Sequence, residues 1–248
     1  MAILAGNNAV ITGGGRGIGR AIALLFAGEG ANIAILDRDA GAADAAAADI
    51  RARGRNAIAV RLDVGEENEV AEGFCRVASE LGNIDILVNN AGIDTTSRVA
   101  DMPTDMWDEM IRIHLRGTFL CTRAVLPGML RQRRGRIINM SSQLAHKGAA
   151  EMAHYAAAKA GIIGFTRSLA YEVAEHNVTV NAIAPGPVDT DLFRKLPEPW
   201  RKQKLAEIPM HRPASVDEIA PTALLLASEE GGYYLGATLN PNGGDVMV

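Results

Sequence analysis

The sequence predicts a single-domain α/β fold spanning residues 1–248: a doubly wound parallel sheet of seven strands with helices on both faces. Three observations point to it. Short apolar, β-branched runs alternate with longer helical runs from end to end, without linker, repeat or low-complexity stretch. A glycine-rich turn sits between the first strand and the first helix. The polar residues that could carry chemistry fall just after the strands, at Gly13, Asp37, Asp63, Asn90, Ser142 and Pro185. In an open parallel sheet those ends share one edge, where ligands bind.

Composition narrows the function classes. Hydrophobic residues make up 48% and charged residues 22%, an ordinary globular balance. A net charge of −4 gives no electrostatic footprint for nucleic acid. Cys75 and Cys121 lie far apart, so neither a disulfide framework nor a metal-binding spacing is expected. No apolar run approaches a membrane span, and the start has no basic region before a long apolar stretch. The expectation is a cytoplasmic protein with no membrane partner and no metal.

The elements follow in order. Residues 8–12 read as a buried strand, and Thr12-Gly13-Gly14-Gly15-Arg16-Gly17-Ile18-Gly19 leads into a helix through Phe26. Glycines permit a tight turn, and the helix start offers free N–H groups to a pyrophosphate. Residues 32–36 form a second strand ending at Asp37, about 20 residues beyond the turn, where a carboxylate meets an adenosine ribose. An Ala-rich helix covers 40–53, and a third strand, 57–62, runs into Asp63-Val64. A helix over 66–81 carries acids in its first turn, as the helix dipole prefers. Residues 84–88 form a fourth strand running into Asn89-Asn90-Ala91-Gly92.

Thr104 is placed as the cap of a long helix over 105–131, with Pro127 bending it late. Residues 136–140 form a fifth strand ending at Ser141-Ser142, and a helix over 153–175 follows. That helix carries Tyr155 and Lys159, four apart and so on one face. An ammonium beside a phenol favours the phenolate and lowers its pKa, tuning a proton donor and acceptor toward neutral pH. A sixth strand covers 178–184 and ends at Pro185-Gly186-Pro187. The stretch 187–212 reads as an irregular, amphipathic lid. Ser215 and Glu218 form a capping box for a helix to Ala227, and 236–239 is the last short strand.

Taken together, Thr12-Gly13-x-x-x-Gly17-x-Gly19, Asn89-Asn90-Ala91-Gly92, Ser142, Tyr155-x-x-x-Lys159 and Pro185-Gly186 resemble the short-chain dehydrogenase/reductase family over nearly the whole chain. The resemblance implies a Rossmann-type nicotinamide-dependent oxidoreductase, with Tyr155 as general acid/base and Ser142 bonding the reacting oxygen. Lys159 would hold the nicotinamide ribose. Gly13, Gly15, Arg16, Gly17, Ile18 and Gly19 would form the phosphate turn, and Asp63 and Val64 would meet the adenine. Asn90, Gly92, Pro185 and Gly186 would lie along the cofactor, with Val188 and Thr190 at the carboxamide. A homotetramer or homodimer through the two long helices is implied as well.

Two departures stand out. His114 occupies the place where the family often has an Asn that anchors a water feeding the lysine. Neutral His offers one donor and one acceptor and could serve that water, and a packed structural His is the other reading. Members acting on carrier-protein substrates often have an Asn/Gln-rich segment before the tyrosine and an Arg on the following helix. Here those places hold Lys147–His154 and Tyr171.

The expected function is hydride transfer between a nicotinamide cofactor and a small secondary alcohol or ketone. The alternative is a 3-oxoacyl thioester reductase using acyl-carrier-protein or CoA thioesters. A non-catalytic nucleotide-sensing regulator ranks below both, because Ser142, Tyr155 and Lys159 occur together. Asp37 favours NAD over NADP, against Arg16 and Arg38, which could pair with a 2′-phosphate.

Overall fold

A computed structural model describes residues 2–248. The strands are β1 (Asn8–Thr12), β2 (Asn32–Asp37), β3 (Ala57–Arg61), β4 (Ile86–Asn89), β5 (Gly135–Met140), β6 (Val178–Ile183) and β7 (Thr238–Leu239). They form one sheet in the order β3-β2-β1-β4-β5-β6-β7, parallel at every pairing. The helices are α1 (Gly17–Gly28), α2 (Ala40–Ala52), α3 (Glu67–Leu81), α4 (Thr104–Ile111), α5 (Gly117–Gln132), α6 (Leu144–Lys147), α7 (Ala153–Val173), α8 (Asp191–Arg194), α9 (Glu198–Glu207) and α10 (Ala220–Ala227).

Strand alternation builds two cores from one sheet. Ala9, Ile11, Ile33, Ile35, Ile86, Val88 and Ile138 face α1, α2 and α10. Val10, Ala34, Leu36, Leu87 and Ile137 face α3, α5 and α7. Burial on both faces is why these strands read as unbroken apolar runs. In α2, Ala43, Ala46, Ala47 and Ile50 form the buried stripe, and their small side chains let the helix lie close to the sheet.

Strand order reverses between β1 and β4, which opens a crevice above their carboxyl ends. Asn90 stitches it. Its Nδ2 donates to the Thr12 and Gly13 carbonyls at 3.1 and 3.0 Å. Deeper in, Asn89 Nδ2 donates to Asn139 Oδ1 at 2.8 Å, and Asn139 Nδ2 donates to Thr166 Oγ1 at 2.9 Å. These buried amides fix α7 against β5, the relation that sets the site.

Several elements differ from expectation. The fourth strand begins at Ile86 rather than residue 84, and the last is only Thr238–Leu239. Thr104 is the first residue of α4 and makes no cap; the Pro103 carbonyl takes the first N–H groups instead. The long helix is interrupted by a wider π turn at Arg112–Arg116. It then runs on through Pro127 to a left-handed Arg133. The 187–212 stretch is not irregular throughout: α8 starts where the Thr190 hydroxyl accepts from Phe193 N–H, and α9 follows. The Ser215–Glu218 capping box forms, on a 3₁₀ turn that leads into α10.

Candidate active site

A cleft of about 390 Å³ lies over the crevice and is lined by Gly13, Asp37, Asn90, Ser142, Tyr155 and Lys159 among others. Its floor is glycine. Gly13 has φ +60, and a Cβ there would lie 2.8 Å from Ala91 Cα. A Cβ on Gly15 would meet Asp37 Oδ2 at 2.9 Å. Gly19 abuts the Gly13 carbonyl so closely that no side chain fits. Gly15 and Gly19 therefore shape the turn from behind, whereas Gly13, Arg16, Gly17 and Ile18 line the cleft. This is a cradle in which backbone N–H groups can reach a pyrophosphate, so the residues present fit a dinucleotide.

Farther along, Asp37 accepts from the N–H of Gly15 and of Asp39, each at 3.1 Å. That fixes a carboxylate in the cleft wall. Arg16 is drawn away to Asp39. Asp63 accepts from both Arg112 guanidinium nitrogens, at 3.2 and 3.0 Å. Burial works to raise its pKa, and the bonds from Arg112 and Gly65 outweigh burial and lower it. The expected adenine contact at Asp63 thus shares a carboxylate already held by the π turn. Val64, Pro185, Gly186, Val188 and Thr190 also line the cleft, and Gly186 packs on the Asn242 backbone.

The catalytic candidates converge. Ser141 Oγ donates to the Lys159 carbonyl at 2.9 Å, tying the end of β5 to the middle of α7. Lys159 is 4% exposed, and its Nζ donates to the Met140 carbonyl at 2.6 Å. Nζ lies 5.6 Å from the centre of the Tyr155 ring. Ser142 Oγ donates to Gln143 Oε1 at 2.9 Å and accepts from Leu144 N–H at 3.2 Å.

The electrostatics correct one expectation. The phenol of Tyr155 is raised, not lowered: burial pushes it up, Asp94 pushes it further, and hydrogen bonding to Ser142 works against both. Burial also pushes Lys159 down to about 7, with Asp94 holding it up. The mechanism of the correction is desolvation. The pocket that brings the ammonium to the phenol also removes the water both charges need.

His114 sits within the π turn, 2% exposed, its ring edge-on to Tyr155 at 5.4 Å. Its Nε2 lies 2.8 Å from the Ile93 carbonyl and 3.1 Å from the Ile93 N–H. One nitrogen can serve only one of them, and Nδ1 is buried without a partner. Gly92 is pressed against the ring, since a Cβ there would be 2.5 Å from Cε1. His114 thus holds the 92–93 backbone. Burial, and then the charge of Lys159, push its pKa well below the usual value, so the expected titration near pH 6.5 is not that of this ring.

Two charged neighbours of the site carry no motif in the sequence. Asp94 lines the cleft with Oδ1 buried and unpartnered. Asp245, near the C-terminus, accepts from Lys147 at 2.8 Å and Lys204 at 2.5 Å, clasping α9 to α6. No spacing rule marks either one. No group of His, Cys, Asp and Glu suited to a metal occurs among the described residues, and no helix of the described residues is long and apolar enough to cross a membrane.

Residues 7–200 match the family model of the short chain dehydrogenases. The chain belongs to that family. As a short-chain dehydrogenase it is a nicotinamide-dependent oxidoreductase. It is 41% identical to a 3-oxoacyl-[acyl-carrier-protein] reductase FabG of Staphylococcus epidermidis over 243 residues, 97% of this chain and 99% of the relative. The identity is also 41% to the FabG proteins of Pseudomonas aeruginosa (98% and 99% covered) and Vibrio harveyi (99% of each).

The His114 geometry yields a stability prediction. The unfolded imidazole titrates near 6.5 and the folded one well below. As pH falls through 6.5 the unfolded state takes up a proton that the folded state does not, so stability falls, by at most about 1.4 kcal/mol per pH unit. His114→Asn supplies a separate donor and acceptor for Ile93 and removes the titration. Urea unfolding at successive pH values from 7.5 to 5 should show a shallower loss for the Asn variant. Parallel curves would mean that the ring does not resist protonation in the fold.

Proposed function

We propose that this short-chain dehydrogenase reduces the ketone of 3-oxoacyl thioesters to a secondary alcohol. The observation that carries the reading is full-length identity of 41% to several proteins named for that reaction, together with Ser142, Tyr155 and Lys159 in one cleft. The walls suit an acyl chain: Leu144, Met152, Leu192, Phe193, Leu196 and Trp200 line the cleft beside the polar groups.

A bound nicotinamide supplies the hydride. The chain does the rest. Tyr155 donates the phenol proton to the substrate oxygen as charge develops there. Ser142 bonds the same oxygen and stabilises that charge. Lys159 would hold the nicotinamide ribose and keep an ammonium near the phenol. A raised phenol pKa suits this direction, because the group is protonated before the reaction and gives its proton to an alkoxide-like oxygen. His114 acts on the floor of the cleft, through the Ile93 backbone.

Oxidation of a small secondary alcohol is the second reading. The 147–154 segment without Asn or Gln and the exposed Tyr171 in place of an Arg favour it over a carrier-protein substrate. For the cofactor, Asp37 supports NAD: a carboxylate held in place by two N–H groups accepts from a ribose hydroxyl and repels a 2′-phosphate.

Two experiments test these assignments. Turnover of a 3-oxoacyl thioester panel should exceed that of simple ketones and alcohols, and Tyr155→Phe should cut it by at least ~10² with cofactor affinity nearly unchanged. Activity confined to small alcohols would transfer the assignment to the second reading, and a fully active Tyr155→Phe would remove Tyr155 from the mechanism. The kcat/KM ratio of the NAD over the NADP form should exceed one and fall in Asp37→Ser. A ratio below one overturns the NAD assignment.

A further inference from the structure

Asp94 follows Ile93 on the loop after β4 and lines the cleft with Tyr155 and Lys159. Its Oδ1 is buried without a hydrogen-bond partner, an arrangement that costs stability and is characteristic of groups whose charge a site uses. In the same cleft, the Lys159 ammonium has three protons, and its hydrogen bond within the chain goes to Met140. An acceptor short of a donor and a donor with protons to spare thus share one dry cleft. In such a cleft a charge acts at longer range than in water.

We propose that Asp94 is a positioning residue for the Tyr155–Lys159 pair, its carboxylate keeping the pair's protons in place for delivery to a ketone. The surroundings single it out. The π turn presents His114, which burial keeps neutral. The start of α7 presents His154, bonded through Nε2 to Thr95 Oγ1 at 2.8 Å and also disfavoured as a cation by burial. The loop after β5 presents the uncharged Ser142, and the lid presents Asp191 and Lys195 at the cleft wall. Of these groups, Asp94 is the carboxylate whose charge acts on both Lys159 and Tyr155.

The sign is the same at both partners. A negative charge disfavours loss of a proton from the ammonium and from the phenol alike. Asp94 therefore extends the pH range over which the pair is loaded to give a proton, which favours reduction. Its own carboxyl, raised to about 6 by burial against the pull of Lys159, is ionised at neutral pH. The inference deepens the reductase reading, and its direct test does not depend on that reading.

The experiment is the pH profile of Asp94→Asn beside wild type, in both reaction directions. The basic limb of reduction and the acidic limb of oxidation should both move to lower pH, by about one unit. Asp94→Glu should restore most of the shift. A structural loop residue would change rate or stability and leave the limbs in place. Side-chain nitrogen NMR of the Lys159 ammonium in the free protein, with Lys159→Arg as blank, needs no turnover and should show the same downward shift. This separates a failed substrate assignment from a failed role for Asp94. Should Asp94→Asn not fold, Asp94→Ser carries the same expectation. Unmoved limbs and an unmoved Lys159 titration in a folded, uncharged variant overturn the proposal.

Discussion

The site depends on an ammonium taken out of water. Lys159 is held in α7 beneath the end of β5, with the Met140 carbonyl as its partner at 2.6 Å. Burying an amine of that kind is costly unless its surroundings compensate. The compensation reaches far into the fold. Ser141 ties the Lys159 backbone to the strand end, and the Asn89–Asn139–Thr166 ladder fixes the same helix one layer deeper. Asp94, which lines the same cleft, adds a counter-charge. The tetrad of strands β1, β4, β5 and β6 is thus a rigid frame for one charge and the phenol beside it.

A second constraint is close approach of backbone. Gly92 leaves room for His114, and His114 grips Ile93, the residue before Asp94. The π turn that points His114 inward also points Arg112 toward Asp63, on the adenine side of the expected cofactor path. One helical irregularity therefore joins the two ends of the cleft. Such bulges are found mostly where function demands a side chain off the regular helical face. The clasp of Asp245 on Lys147 and Lys204 performs a similar service beside the cleft, holding α9 to α6.

Much of this was legible in the chain itself. Alternating runs fixed the strand and helix order, because strands buried on two faces must be apolar throughout. Gly13, Asp37, Asp63, Asn90, Ser142 and Pro185 could be placed on one edge because parallel strands end together. What escaped depends on neighbours that no spacing reveals. Asp94 looks like a loop acid until burial strips its Oδ1 of partners. The rise of the Tyr155 phenol was missed because a pair at i and i+4 shows proximity but not desolvation. Thr104 looked like a cap, and Pro103 supplied the carbonyl instead. Helix α9 is masked in the sequence by Pro197 and Pro199, which sit at its start, where proline is tolerated.

The most direct test is the protonation state of Lys159 itself. Side-chain nitrogen NMR of the free protein, assigned with Lys159→Arg, reads that ammonium without substrate or cofactor. Burial in the frame described above places its titration at about 7, against 10.5 for an unperturbed lysine. A midpoint close to 7 supports a dry cleft in which Asp94 and the Met140 carbonyl hold the charge. A midpoint near 10.5 would show a hydrated ammonium and contradict the account.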